Sequence, residues 1–142
     1  MVASQQQRAA GSVLIVDDDE MISGALHQHL LETGIPVDVA TDPETASDML
    51  RERAYGVVLM DTYMTGQLHG RGDGFLDEVL SLRGDAHLVI LTAYGAAQLT
   101  DRFREEPGVT VVKKPMPVQV LAALVGGILQ GEPSTTNQRS RS

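Results

Sequence analysis

The sequence predicts an α/β domain built on one doubly wound sheet of five parallel strands in the order 2-1-3-4-5. Three observations predict it. Five short runs are apolar almost throughout rather than alternating, as expected of strands buried on both faces of a parallel sheet. Segments with helical spacing of apolar residues lie between them, so strand and helix alternate five times in right-handed βαβ units. Polar and charged residues follow directly on the carboxyl ends of these runs, where open α/β sheets place their chemistry.

After a flexible lead over residues 1–11, strand one covers about 12–17 and helix one about 20–33. Helix one puts Ile22, Leu26 and Leu30 on one face and stops at Gly34. Strand two is 36–40. Helix two follows with Asp42 as N-cap, Pro43 in the first helical position, and Ala46, Met49 and Leu50 inward. Strand three is 56–60, and a Gly-rich loop leads to helix three near 74–83, with Phe75, Leu76, Val79 and Leu80 inward. Strand four is 87–91, followed by a weakly patterned helix four over 95–104. Strand five is 109–112, and helix five over 117–129 turns Leu121, Leu124, Val125 and Ile128 inward. One domain over 12–130 results, followed by a polar tail over 131–142 whose composition predicts disorder.

Composition narrows the function. The 142 residues suffice for one ordinary core, and their 42% hydrophobic content is that of a soluble globular chain. A formal charge of −8, with no basic stripe, argues against direct contact with nucleic acid, which needs clustered Lys and Arg. The absence of cysteine excludes disulfides, thiol catalysis and thiolate metal sites. No apolar stretch approaches the roughly 18 residues of a membrane span, and the N-terminus lacks a signal-peptide core, so a cytoplasmic protein is expected.

Strand one delivers Asp17 and Asp18, and strand three delivers Asp61. Strands one and three flank the switch point of the predicted order, so these carboxylates converge, and such a cluster calls for a cation. Strand four delivers Thr92, and strand five delivers Lys113 and Lys114 before Pro115. Acid pair, lone acid, hydroxyl and lysine at successive strand ends make a phosphoryl-transfer site. His27 and His29 lie two apart on helix one, so they do not share a face and form no metal pair.

Val-Asp-Asp after strand one, Asp61 after strand three, Thr92-Ala93 after strand four and Lys114-Pro115 after strand five together make the chain resemble the CheY-like receiver domain of two-component response regulators, over about residues 12–129. The resemblance implies a flavodoxin-like (βα)5 fold. It implies Asp61 as phosphoacceptor, with Asp18 and Asp61 as direct ligands of Mg²⁺ (or Mn²⁺), Asp17 acting mainly through water, and the backbone carbonyl of Tyr63 completing the protein's share. Lys114 would set its ammonium against the acyl phosphate, while Lys113 points to the opposite face or to solvent. Thr92 would donate its hydroxyl to a phosphoryl oxygen, and Ala93 would leave room for the incoming group; Lys114–Pro115 is a candidate cis peptide, since cis bonds are almost confined to X–Pro.

The chain departs from the family in two places. The motif Met-Pro-x-Met-Asp-Gly that usually follows the acceptor is replaced by a longer run over 62–72 with Gly66, Gly70 and Gly72, either a lid carrying His69 or Arg71 or a neutral insertion. The family's aromatic switch position, three before the lysine, is Val111. Tyr63 and Tyr94 fall at the positions that modulate hydrolysis in the family; their rings either cover the in-line approach of water to phosphorus or pack on neighbouring loops.

The resemblance implies a stand-alone response regulator. It would receive phosphate from a histidine kinase or a histidine phosphotransfer protein and present an altered surface to a downstream protein, or serve as a phosphate sink or relay intermediate. It would catalyse only its own phosphoryl transfer and dephosphorylation, and the sequence leaves a homodimer open. A haloacid-dehalogenase-type phosphatase would instead read Asp17-Asp18-Asp19 as its nucleophile motif, with Thr92 and Lys114 following, but it needs an acidic pair after the lysine. Only Glu132 follows Lys114, and Asp61 would have no role.

Overall fold

The five apolar runs pair as the sequence predicts. In the computed structural model, which describes residues 11–17, 20–61, 72–93 and 96–131 (the side chains of 20–23 and 72–73 excepted), they form one parallel sheet. The strands are β1 (Val13–Val16), β2 (Val37–Ala40), β3 (Val57–Asp61), β4 (His87–Thr92) and β5 (Val109–Lys113), in the order β2-β1-β3-β4-β5. The helices are α1 (Glu20–Glu32), α2 (Pro43–Glu52), α3 (Gly72–Leu82), α4 (Ala96–Arg102) and α5 (Val118–Leu129). Predicted and observed ends differ by a residue or two at most elements; the fourth helix is shorter than expected, 96–102 against 95–104. The lead before Gly11 and the tail after Gly131 lie outside the described residues.

Side chains alternate between the two sheet faces, and each face has its own core. Leu14, Val16, Val58, Met60, Leu88 and Ile90 pack under α2, α3 and α4, where Ala46, Leu50, Phe75, Leu76, Val79 and Phe103 close the layer. Val13, Ile15, Val57, Leu59, Val89 and Leu91 face α1 and α5 through Leu26, Leu30, Leu121, Ala122 and Val125. The central strands β1 and β3 are buried along their whole length, which is why they read as unbroken apolar runs.

Local chemistry fixes the helix ends. Asp42 is extended at the N-cap of α2 and accepts from the backbone N–H of Thr45 at 2.7 Å, a bond that holds its carboxyl below the usual range. Asp38 on the edge strand β2 accepts from both the buried Tyr55 hydroxyl, at 2.6 Å, and Arg53, at 2.7 Å, fastening the end of α2 to the sheet. Burial and the Asp38 carboxylate push the Tyr55 hydroxyl above its ordinary value.

The edge away from the site is clamped by Arg83. Its Nη1 donates to the carbonyls of Ala86 (3.0 Å) and Gly108 (2.8 Å), and its Nη2 donates to the carbonyl of Pro107 at 2.9 Å. The loops entering β4 and β5 are thereby held together. Gly108 has φ +76°, and a Cβ there would lie 2.8 Å from Arg83 Nη1. Beside this clamp His87 Nε2 and Thr110 Oγ1 share a 2.7 Å hydrogen bond across the two strands.

Burial, and secondarily the Arg83 guanidinium, hold the His87 imidazole below its ordinary value of about 6.5. The unfolded chain therefore binds this proton more tightly than the folded one. Stability is fully present above about pH 6.5 and declines as pH falls below it. Thermal melts from pH 7.5 to 5 should show a loss of a few degrees that His87→Gln, which preserves a polar partner for Thr110, substantially reduces. Identical slopes for the two proteins would contradict this account.

Candidate functional site

The site is assembled by register. Val16 on β1 stands opposite Met60 on β3, so Asp17 and Asp61, the next residue on each strand, reach the carboxyl edge side by side. Asp61 stands opposite Leu91 on β4, and Thr92 opposite Lys113 on β5, so Thr92 and then Lys114 step outward around the same edge. Each strand carries its apolar residues into the core and ends on a polar one.

Asp17 and Asp61 are each only 3% exposed and Thr92 1%, an unusual depth for carboxylates. Lys114 Nζ donates to Asp61 Oδ2 at 2.8 Å, with the lysine side chain 24% exposed and the aspartate 4%. An ammonium at this distance offsets part of the cost of burying the Asp61 charge. The backbone N–H of Lys114 also donates to the carbonyl of Thr92 at 2.8 Å, so the hydroxyl-bearing and lysine-bearing strand ends are joined directly. The Lys114–Pro115 bond is cis, as the sequence reading expected.

Of the two adjacent lysines, Lys114 reaches Asp61 while Lys113 is exposed. Ala93 follows Thr92 at the rim and is exposed, with no side-chain bulk in the way of an incoming group. Val111 is half-buried and packs, with Leu99 and Val109, against the core under α2, α3 and α4. Asp18, Tyr63 and Tyr94, and the long run after the acceptor, lie outside the described residues. The sequence did not reveal the Lys114–Thr92 backbone bond, because a main-chain contact between strand ends leaves no side-chain signature.

The donor chemistry fits a hard divalent cation. Two buried carboxylates at one strand edge offer oxygen only, and Mg²⁺ takes few protein oxygens while keeping its waters. Asp61 would hold it directly and Asp17 mainly through water, with Asp18 as the second direct ligand and the Tyr63 carbonyl completing the set that the resemblance implies. Among the described residues no three acidic or imidazole groups gather as a ready metal cage. Nor is any described helix long and apolar enough to cross a membrane.

Comparison with known proteins agrees with this geometry. A family profile described as the response regulator receiver domain matches residues 13–126. Protein PetR of Rhodobacter capsulatus is 28% identical over 122 residues, which cover 85% of this chain and 49% of PetR. The chain thus spans about half the length of that curated relative. The Francisella response regulator 1452 receiver domain superposes with a TM-score of 0.72 at 21% identity, covering 85% of this chain and 98% of its own. A CheY-like receiver domain protein from Methanospirillum hungatei gives 0.71 at 21% identity, over 87% and 97% of the two chains. A Burkholderia pseudomallei response regulator gives 0.66 at 20% identity, over 90% and 74%, and its structure holds a phosphorylated aspartic acid, a calcium ion and citrate. At these identities the structural likenesses establish the fold.

If the Lys114 ammonium makes the buried Asp61 charge tolerable, Lys114→Gln should cost on the order of 1–3 kcal/mol at neutral pH. The same change in an Asp61→Asn background should cost clearly less. Denaturant unfolding of the four proteins measures the coupling, and additive losses would show that the pair is not coupled.

Proposed function

The chain belongs to the response regulator receiver domain family, and we propose that it accepts a phosphoryl group on Asp61 from the phosphohistidine of a sensor kinase or phosphotransfer protein. The observation that carries this reading is the buried Asp61 carboxylate with Lys114 Nζ 2.8 Å from it, at the strand edge it shares with Asp17 and Thr92. A haloacid-dehalogenase reading leaves the buried Asp61 without a role.

In the proposed step a carboxylate oxygen of Asp61 forms a bond to phosphorus as the P–N bond to the donor imidazole breaks. The imidazole leaves with the electron pair, and an acyl phosphate remains on Asp61. A divalent cation, Mg²⁺ or Mn²⁺, supplies charge neutralisation for the phosphoryl oxygens when bound. Lys114 is positioned to transfer its contact from the free carboxylate to the new phosphate, which keeps a cation beside the charge throughout. The Thr92 hydroxyl sits one strand over and can donate to another phosphoryl oxygen. Because the Lys114 N–H is bonded to the Thr92 carbonyl, the two responses move one connected edge. The output is a changed surface read by a partner protein, and the chain's catalysis is confined to its own phosphorylation and dephosphorylation.

Val111 has no aromatic ring to swing inward behind Thr92, and it is already packed against the core. The displaced edge therefore acts on α4 directly, since none of its residues is fully buried.

A small-molecule phosphodonor with Mg²⁺ should label the protein once, and Asp61→Asn should remove the label while circular dichroism stays unchanged. Undiminished labelling of that variant would overturn the assignment.

Mg²⁺ relieves repulsion among clustered carboxylates, so it should raise the melting temperature at neutral pH. Asp18→Ala should abolish most of the increase. An equal response in the variant would place the cation elsewhere.

A further inference from the structure

The helix α4 is tied to the rest of the domain at few points. Ala97, Gln98, Thr100 and Asp101 are exposed, while Leu99, the fourth of its seven residues, packs half-buried against the core under α2, α3 and α4. At its last residue, Arg102 Nη2 donates to Asp77 Oδ1 on α3 at 2.6 Å. The same guanidinium lies 4.9 Å from the centroid of the Phe103 ring, which is buried in that core. Arg102 is thus held on one side by the core and on the other by α3. Three residues separate the opposite end of the helix, Ala96, from Thr92 at the site.

Seven residues make a rod about 10 Å long. The Leu99 contact stands at mid-length, so a pull on the Thr92 end turns the rod about it and swings the Arg102 end the other way. We propose that the Arg102–Asp77 ion pair is a latch that holds α4 in its resting position and opposes phosphorylation of Asp61. The latch rests on Asp61 being the phosphoacceptor, and it adds to that reading a restraint at the end of α4 away from Thr92.

The next residue of α3 shows by contrast why this pair acts on position. Glu78 accepts from Arg51 Nη2 on α2 at 3.1 Å. That pair joins two helices that both bury core residues, Ala46 and Leu50 on α2 and Phe75, Leu76 and Val79 on α3. Breaking it frees neither helix. The Arg102–Asp77 pair instead joins an anchored helix to one that buries no residue fully. A pair as exposed as this biases a two-state equilibrium by up to about fivefold, the equivalent of about 1 kcal/mol. By linkage, a ligand that favours the displaced state gains apparent affinity by that factor when the latch is removed, while the resting state predominates.

The test is a calorimetric titration of the full-length protein with beryllofluoride and Mg²⁺, a stable mimic of an aspartyl phosphoryl group. Asp77→Asn and Arg102→Gln should each tighten binding by about two- to fivefold. Both positions are exposed, so the variants should keep the fold and melt within a few degrees of the wild type. The two substitutions break one contact, so the double variant should gain no more than either single one. Glu78→Gln, the control on the same helix, should bind as the wild type does. Equal affinities of the wild type, Asp77→Asn and Arg102→Gln would overturn the latch. So would additive gains in the double variant, or an equal gain in Glu78→Gln. Binding that survives Asp61→Asn undiminished would instead overturn the phosphoacceptor reading, and the latch with it.

Discussion

Burying carboxylates at the rim of an apolar sheet constrains everything else in this protein. Asp17 and Asp61 sit 3% exposed at the ends of strands whose other residues are wholly apolar. A charge at that depth is tolerable only beside groups that answer it. Lys114 supplies one such group, and its main-chain tie to Thr92 brings β4 and β5 to the same edge. The parallel topology follows from the same demand, because only strands running in one direction present all their carboxyl ends together.

The two faces of the sheet divide the labour. On one face α1 and α5 close over a fully apolar layer, and on the other α2 and α3 bury Ala46, Leu50, Phe75, Leu76 and Val79. The element α4 is different. It has seven residues, none fully buried, and relies on the half-buried Leu99, the following Phe103 and a contact of Arg102 with Asp77 at 2.6 Å. Exposed ion pairs of this sort contribute at most about 1 kcal/mol. The least anchored helix therefore stands directly after Thr92, where a small displacement has the most leverage.

Most of the fold was legible because its signals are local and mutually consistent. Unbroken apolar runs marked the strands, Asp42-Pro43 marked the start of a helix, and the alternation of elements fixed the topology. The choice between Lys113 and Lys114 was legible only through the proline after the second; in the structure Lys114 touches Asp61 and Lys113 is exposed to solvent. The fourth helix was weak in the sequence for the same reason that it is weak in the structure, since a helix that buries no residue fully shows little apolar periodicity. What could not be read were contacts between residues distant in the chain. Nothing in the spacing of Arg83 and Gly108, or of His87 and Thr110, announces that they meet, because those meetings are set by register rather than by local pattern. Asp18, Tyr63 and Tyr94 remain expectations of the sequence.

The clamp at the far edge has a consequence for how this sequence is free to change. Arg83 Nη1 fills the space that any side chain at residue 108 would claim, and the positive φ at Gly108 excludes most replacements on its own account. Shortening Arg83 would remove the clash but not the backbone penalty, and it would strip the carbonyls of Ala86, Pro107 and Gly108 of their common donor. The two positions thus have no single-step path apart. In descendants of this chain they should drift only through a rebuilt loop, at the edge of the sheet opposite the acidic rim.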